Sequence, residues 1–145
     1  MTRAEIAAVI PHAGTMCLLD EVLSWDAVGI RCLSRTHREA GNPMRVAGAL
    51  RAICGVEYAA QAMAVHGGLT GGVASRPRAG YMASLRDVEC AAMLLDEFEG
   101  DLLVDAERLM GEASHVIYGF EVCVGGKKVL AGRAAVVLDA GAARQ

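Results

Sequence analysis

Apolar and polar positions along the chain change rhythm several times, and each rhythm predicts one kind of element. Thr2 followed by Glu5 reads as a capping box for a first short helix running to about Val9 and stopping at Pro11. Residues 16–25 (MCLLDEVLSW) and 28–36 (VGIRCLSRT) read as two strands joined at Asp26 and Ala27. From 37 to 48 (HREAGNPMRVAG), charge, Gly41, Asn42 and Pro43 break any period, so an irregular loop is expected. Residues 49–66 (ALRAICGVEYAAQAMAVH) predict a long helix, whose only strongly polar side chains are Arg51, Glu57, Gln61 and His66. The stretch 67–72 (GGLTGG) is expected to end it, because glycine loses the most conformational freedom on being fixed.

Past Pro77 the pattern alternates, predicting strands over 81–88, 102–110, 116–124 and 129–138. In the third of these, Val116, Tyr118, Phe120, Val122 and Val124 fall on one face. Gly125 and Gly126 then supply the positive φ angles of a tight hairpin, and the tail GAARQ is expected to fray. A helix that is apolar nearly all round must be covered on most sides. The order of elements therefore predicts one α+β domain over residues 1–145, an antiparallel sheet curled around one long central helix.

Composition narrows the function classes. Hydrophobic residues make up 54% of the chain but aromatic ones only 4%, so Ala, Val, Leu and Met must fill much of the core. The net charge is -3 and no run of Lys and Arg exceeds Lys127-Lys128, which argues against nucleic acid as a partner. Residues 46–65 approach a membrane-spanning length, but Arg51 and Glu57 would be costly in hydrocarbon. The start, MTRAEIAAVIPH, carries no secretory h-region, so a cytoplasmic protein is expected. Cys17, Cys32, Cys54, Cys90 and Cys123 are never spaced as CxxC and are expected to be buried free thiols. His66 and His115 show no metal-ligand spacing, and the glycine cluster lacks the GK[ST] ending of a phosphate loop.

The run PHAGTMCLLDEV, with Pro11, His12, Leu18, Leu19, Asp20 and Val22, resembles the N-terminal signature of hotdog-fold β-hydroxyacyl-(acyl carrier protein) dehydratases. Glu57 and Gln61 in GVEYAAQA look like the ExxxQ of that family's central helix. Gly100, Asp101 and Leu103 match its PGDxL turn, and VGGKKVLAGRA resembles its final hairpin. One departure stands out: the position matching the family's catalytic loop histidine is Pro43. His37 and the pair Asn42-Pro43 in that loop resemble the shorter dehydratase-like hotdog proteins encoded with aryl polyene pathways.

The resemblance implies a hotdog fold and a 3-hydroxyacyl thioester dehydratase of fatty acid or polyene biosynthesis. Dehydration removes a poorly acidic C2 proton and protonates a leaving hydroxyl, so a base and an acid must flank the substrate. Glu57 and the displaced His37 are the expected catalytic pair. Gln61, Asn42, Ala52 and His12 are expected to meet or orient the substrate, with a free amide near Ala52 polarising the thioester carbonyl. Cys54, one turn before Glu57, is expected to be inert packing rather than a nucleophile. No cofactor is implied. The expected partners are an acyl carrier protein or coenzyme A thioester and a second copy of the chain. Arg35, Arg38, Arg45, Arg76 and Arg78 form a cluster that could dock an acidic carrier. Loss of the usual histidine keeps two other readings open, an acyl thioesterase and a non-catalytic subunit pairing with an active dehydratase.

Overall fold

A computed structural model describes residues 1–10, 17–70, 80–111 and 115–138. The elements are α1 (Arg3–Val9), β1 (Glu21–Trp25), β2 (Gly29–Ser34), α2 (Gly55–Thr70), β3 (Gly80–Cys90), β4 (Leu102–Gly111), β5 (His115–Val124) and β6 (Lys127–Leu138). The six strands form one antiparallel sheet in the order β1-β2-β4-β5-β6-β3, and α2 packs against β2, β4 and β5. This is the hotdog arrangement expected from the order of elements.

Several local expectations hold for the reasons given. The capping box is formed: the Thr2 side chain accepts from Glu5 N, and the Glu5 carboxylate accepts from Thr2 N. The β1–β2 turn is closed by Asp26, whose carboxylate accepts from the amides of Val28 and Gly29. In β5, Val116, Tyr118, Phe120, Val122 and Val124 are all buried, facing α2. Gly125 and Gly126, at φ 57° and 81°, make the hairpin into β6.

The central helix is displaced from its expected bounds at both ends. Residues 49–51 do not join it, because they bridge other strands of chain: Ala49 pairs with Val46 and Arg51 with Leu94. A 3-10 turn over Ala52–Cys54 then leads into α2. At the other end the helix runs through Gly67 and Gly68 to Thr70, whose hydroxyl donates to His66 O. Glycine is a poor helix former, but a Cβ at Gly68 would overlap Cγ1 of Val9, so its absence is what lets α1 cross α2 closely. The strands differ too. β1 begins only at Glu21, and β2 stops at Ser34, so that Thr36, expected to end it, opens a 3-10 turn over Thr36–Arg38. Of the cysteines, only Cys17 and Cys32 are buried, while Cys90 is exposed at the end of β3. No described helix is long and apolar enough to cross a membrane.

Candidate functional site

Glu57 stands in the first turn of α2 and is half-buried, not sealed among apolar side chains as its neighbours in sequence suggested. Gln61, one turn later on the same helix face, is fully buried and its Oε1 accepts from Leu18 N at 2.9 Å. Gln61 thereby pins the chain entering β1 onto the helix. His12, also expected to meet or orient the substrate, lies outside the described residues.

His37 sits in a 3-10 turn over Thr36–Arg38 and is fully buried. Its Nε2 donates to Phe98 O at 2.9 Å, since a carbonyl can only accept, and its Nδ1 has no hydrogen-bond partner among the described residues. Burial pushes the imidazole below its ordinary value against the pull of the Phe98 carbonyl, with Arg38 adding to the depression. The nearby charges are Arg38 and Asp101, and no hydrogen bond joins His37 to Glu57 among the described residues.

Asn42 is likewise structural in its contacts. Its Nδ2 donates to Thr36 O and to the Tyr58 hydroxyl, both at 3.0 Å, and its Oδ1 accepts from Met44 N. The hydroxyls of Ser34 and Thr36 donate to Leu18 O at 2.6 and 2.8 Å, leaving the Tyr58 hydroxyl to donate to Thr36 Oγ1 at 2.8 Å. Tyr58 is thus the hub of a buried network tying the loop, β2 and α2 together. The sequence carried one signal for it: the phenol of an aromatic residue inside an apolar helix must find partners when buried.

The amide of Ala52, expected to be free for a thioester carbonyl, donates to Met93 O at 2.8 Å. The Cys54 thiol is pushed up by burial, which fits packing and not nucleophilic use. The arginine cluster is largely spoken for. Arg35 and Arg38 pair with Asp101 at 3.3 and 3.7 Å, and Arg45 pairs with Asp96 at 3.1 Å. Arg76 and Arg78 lie outside the described residues. A groove of about 590 Å³ crosses the outer face of the sheet, lined by Trp25, Gly29, Arg31, Asp105, Gly119 and Glu121 among others. Neither Glu57 nor His37 lines it. Among the described residues no group of His, Cys, Asp and Glu is placed to hold a metal ion.

Solved structures share this architecture at low identity. The dehydratase heterocomplex ApeI:P from Xenorhabdus doucetiae is 20% identical, with 92% of this chain and 90% of that chain covered and a TM-score of 0.79. AziG of S. sahachiroi is 14% identical, covering 90% and 97%, with a TM-score of 0.64. The E. coli PaaI protein from the phenylacetic acid degradation operon is 12% identical, covering 93% and 88%, with a TM-score of 0.63. Such likeness shows the fold alone. The sequence matches none of the curated proteins. The family model for ApeP dehydratases does match, and it spans residues 4–143, taking in the Glu57 helix, the altered loop and all six strands. On that match this hotdog domain belongs to the ApeP-like family of dehydratases.

Proposed function

We propose that this chain dehydrates 3-hydroxyacyl thioesters as one half of a two-subunit site, supplying Glu57 while a second hotdog chain supplies the imidazole. The observation that carries the reading is the contrast between the two expected catalytic groups. Glu57 is half-buried at the head of the central helix, in partial reach of solvent, whereas His37 is sealed with Nε2 held by Phe98 O. The match to ApeI:P, which is itself a heterocomplex, supports a partner of the ApeI kind. A partner histidine would take the C2 proton, the C2–H electrons would form the C2=C3 bond as the C3–O bond breaks, and Glu57 would protonate the departing hydroxyl. The products are a 2-enoyl thioester and water. No cofactor enters the balance. The substrate would be borne by an acyl carrier protein or coenzyme A, in a polyene or fatty acid pathway.

The test mixes the chain, an ApeI-like partner and a 3-hydroxyacyl carrier protein, and follows the acyl group by mass spectrometry. Loss of one water by the mixture is expected. Glu57→Gln should lower that rate by about 10²-fold or more. Release of free acid would favour the thioesterase reading instead. Undiminished dehydration with Glu57→Gln would leave this chain a non-catalytic subunit.

A further inference from the structure

The loop between β2 and α2 contains no strand and no α-helix, so side chains must give it shape. Arg45 does most of this. Its side chain is only 15% exposed. Nε donates to Glu39 O at 2.8 Å, Nη1 to Gly48 O at 2.7 Å and to Asp96 Oδ2 at 3.1 Å, and Nη2 to His37 O at 3.2 Å. One planar fork of donors therefore holds three carbonyls of the loop and a carboxylate from the segment between β3 and β4.

The hold continues towards Glu57. The other Asp96 oxygen accepts from Leu50 N at 3.1 Å, Leu95 N donates to Leu50 O, and Ala52 N donates to Met93 O. Ala52 opens the 3-10 turn that leads into α2, so these bonds run from Arg45 to the turn immediately before the one bearing Glu57. A second observation marks the same loop. Ala47 and Gly48 have φ of 53° and 81°, forming a tight turn closed by reciprocal bonds between Val46 and Ala49. A non-glycine residue is held in the left-handed region only where its surroundings over-determine it. The bond from Arg45 to Gly48 O is part of that restraint.

We propose that Arg45 is a positioning residue for the dehydration: by clamping the 37–50 loop to Asp96 it fixes where the first turn of α2 presents Glu57. This rests on the function proposed above. It also removes Arg45 from the carrier-docking cluster, since its donors are turned inward.

The test is Arg45→Lys in the full chain with its partner, because lysine keeps the charge but cannot span four acceptors. The kcat is expected to fall by about 10²-fold with KM almost unchanged, the cost of a small misplacement of a reacting group. In Arg45→Ala, added methylguanidinium should restore part of the kcat. A readout independent of activity is amide hydrogen exchange. Leu50 and Ala52 should exchange about tenfold faster in Arg45→Lys while β5 stays protected. A wild-type kcat in Arg45→Lys, or unchanged exchange at Leu50 and Ala52, overturns the proposal. If the wild-type chain shows no turnover with its partner, the functional reading falls, and exchange alone decides whether Arg45 sets the turn.

Discussion

Among the described residues two histidines are fully buried, and their nitrogens are satisfied differently. His66 uses both: Nε2 donates to Asp26 O at 2.8 Å, so Nδ1 carries no proton and accepts from the Tyr118 hydroxyl at 2.7 Å. Protonating Nδ1 would deprive that phenol of its acceptor. Burial lowers the pKa of His66 and Arg108 on β4 lowers it further, while Asp26 on the β1–β2 turn opposes both. His37 is depressed in the same sense. The unfolded chain therefore takes up protons near the ordinary histidine value of about 6.5, before the folded one does. It follows that the histidine contribution is fully present above that pH and is lost as pH falls through the lower folded values. Urea midpoints should drop between pH 7.5 and about 5, a range above that in which carboxylates titrate. His66→Gln should lower stability by about 1–3 kcal/mol at neutral pH, leaving Tyr118 or Asp26 O poorly matched, and should flatten that dependence. A wild-type midpoint level across the range would refute the assignment.

At the scale of elements, α1 and α2 cross where Gly68 faces Val9. Gly68→Ala should gain helix propensity of about 1 kcal/mol but lose about 1–3 kcal/mol to overpacking against the stiff Val9 side chain. The net effect expected is destabilisation. In a Val9→Ala background the same change should stabilise, because the overlapping methyl is gone. Denaturation of the four variants measures the sign reversal, and additivity would show that the crossing does not depend on this contact. The same crossing explains a limit of sequence reading. β5 is legible because its period of two coincides with one buried face. The end of α2 is not, because two glycines look like a stop until the partner helix that requires Gly68 is known. Its start is obscured in the same way, since residues 50–52 follow helical composition but are claimed by residues 93–95, far along the chain. Glu57 could be picked out as the lone carboxylate of an apolar helix. The burial of His37 and the inward turn of Arg45 could not, because both depend on Phe98 and Asp96, to which no local pattern points.

For the whole molecule, the two edges of the sheet are unequal. β1 is short, with five residues, and its flank is met by Met1, whose carbonyl accepts from Val22 N and whose amine donates to Val22 O. β3 has eleven residues and among the described residues pairs only with β6, and Ser84, Leu85, Arg86, Asp87, Glu89 and Cys90 along it are exposed. A long open edge invites another strand unless something blunts it. Two irregularities interrupt it, between Met82 and Ser84 and between Arg86 and Glu89, the second holding Asp87, in the left-handed region at φ 55° and paired with Arg133. Leu85, 42% exposed, offers an apolar contact beside it. The expected result is a light-scattering mass of at least two chains, formed with a second copy or with the proposed partner. Leu85→Glu should weaken that association by about tenfold or more, since a buried unpaired charge costs several kcal/mol, while circular dichroism of the chain is unchanged. A single-chain mass at micromolar concentration, alone and with the partner, would remove β3 as the joining edge. The shared site proposed around Glu57 would fall with it, because no second subunit would stand near enough to bring an imidazole.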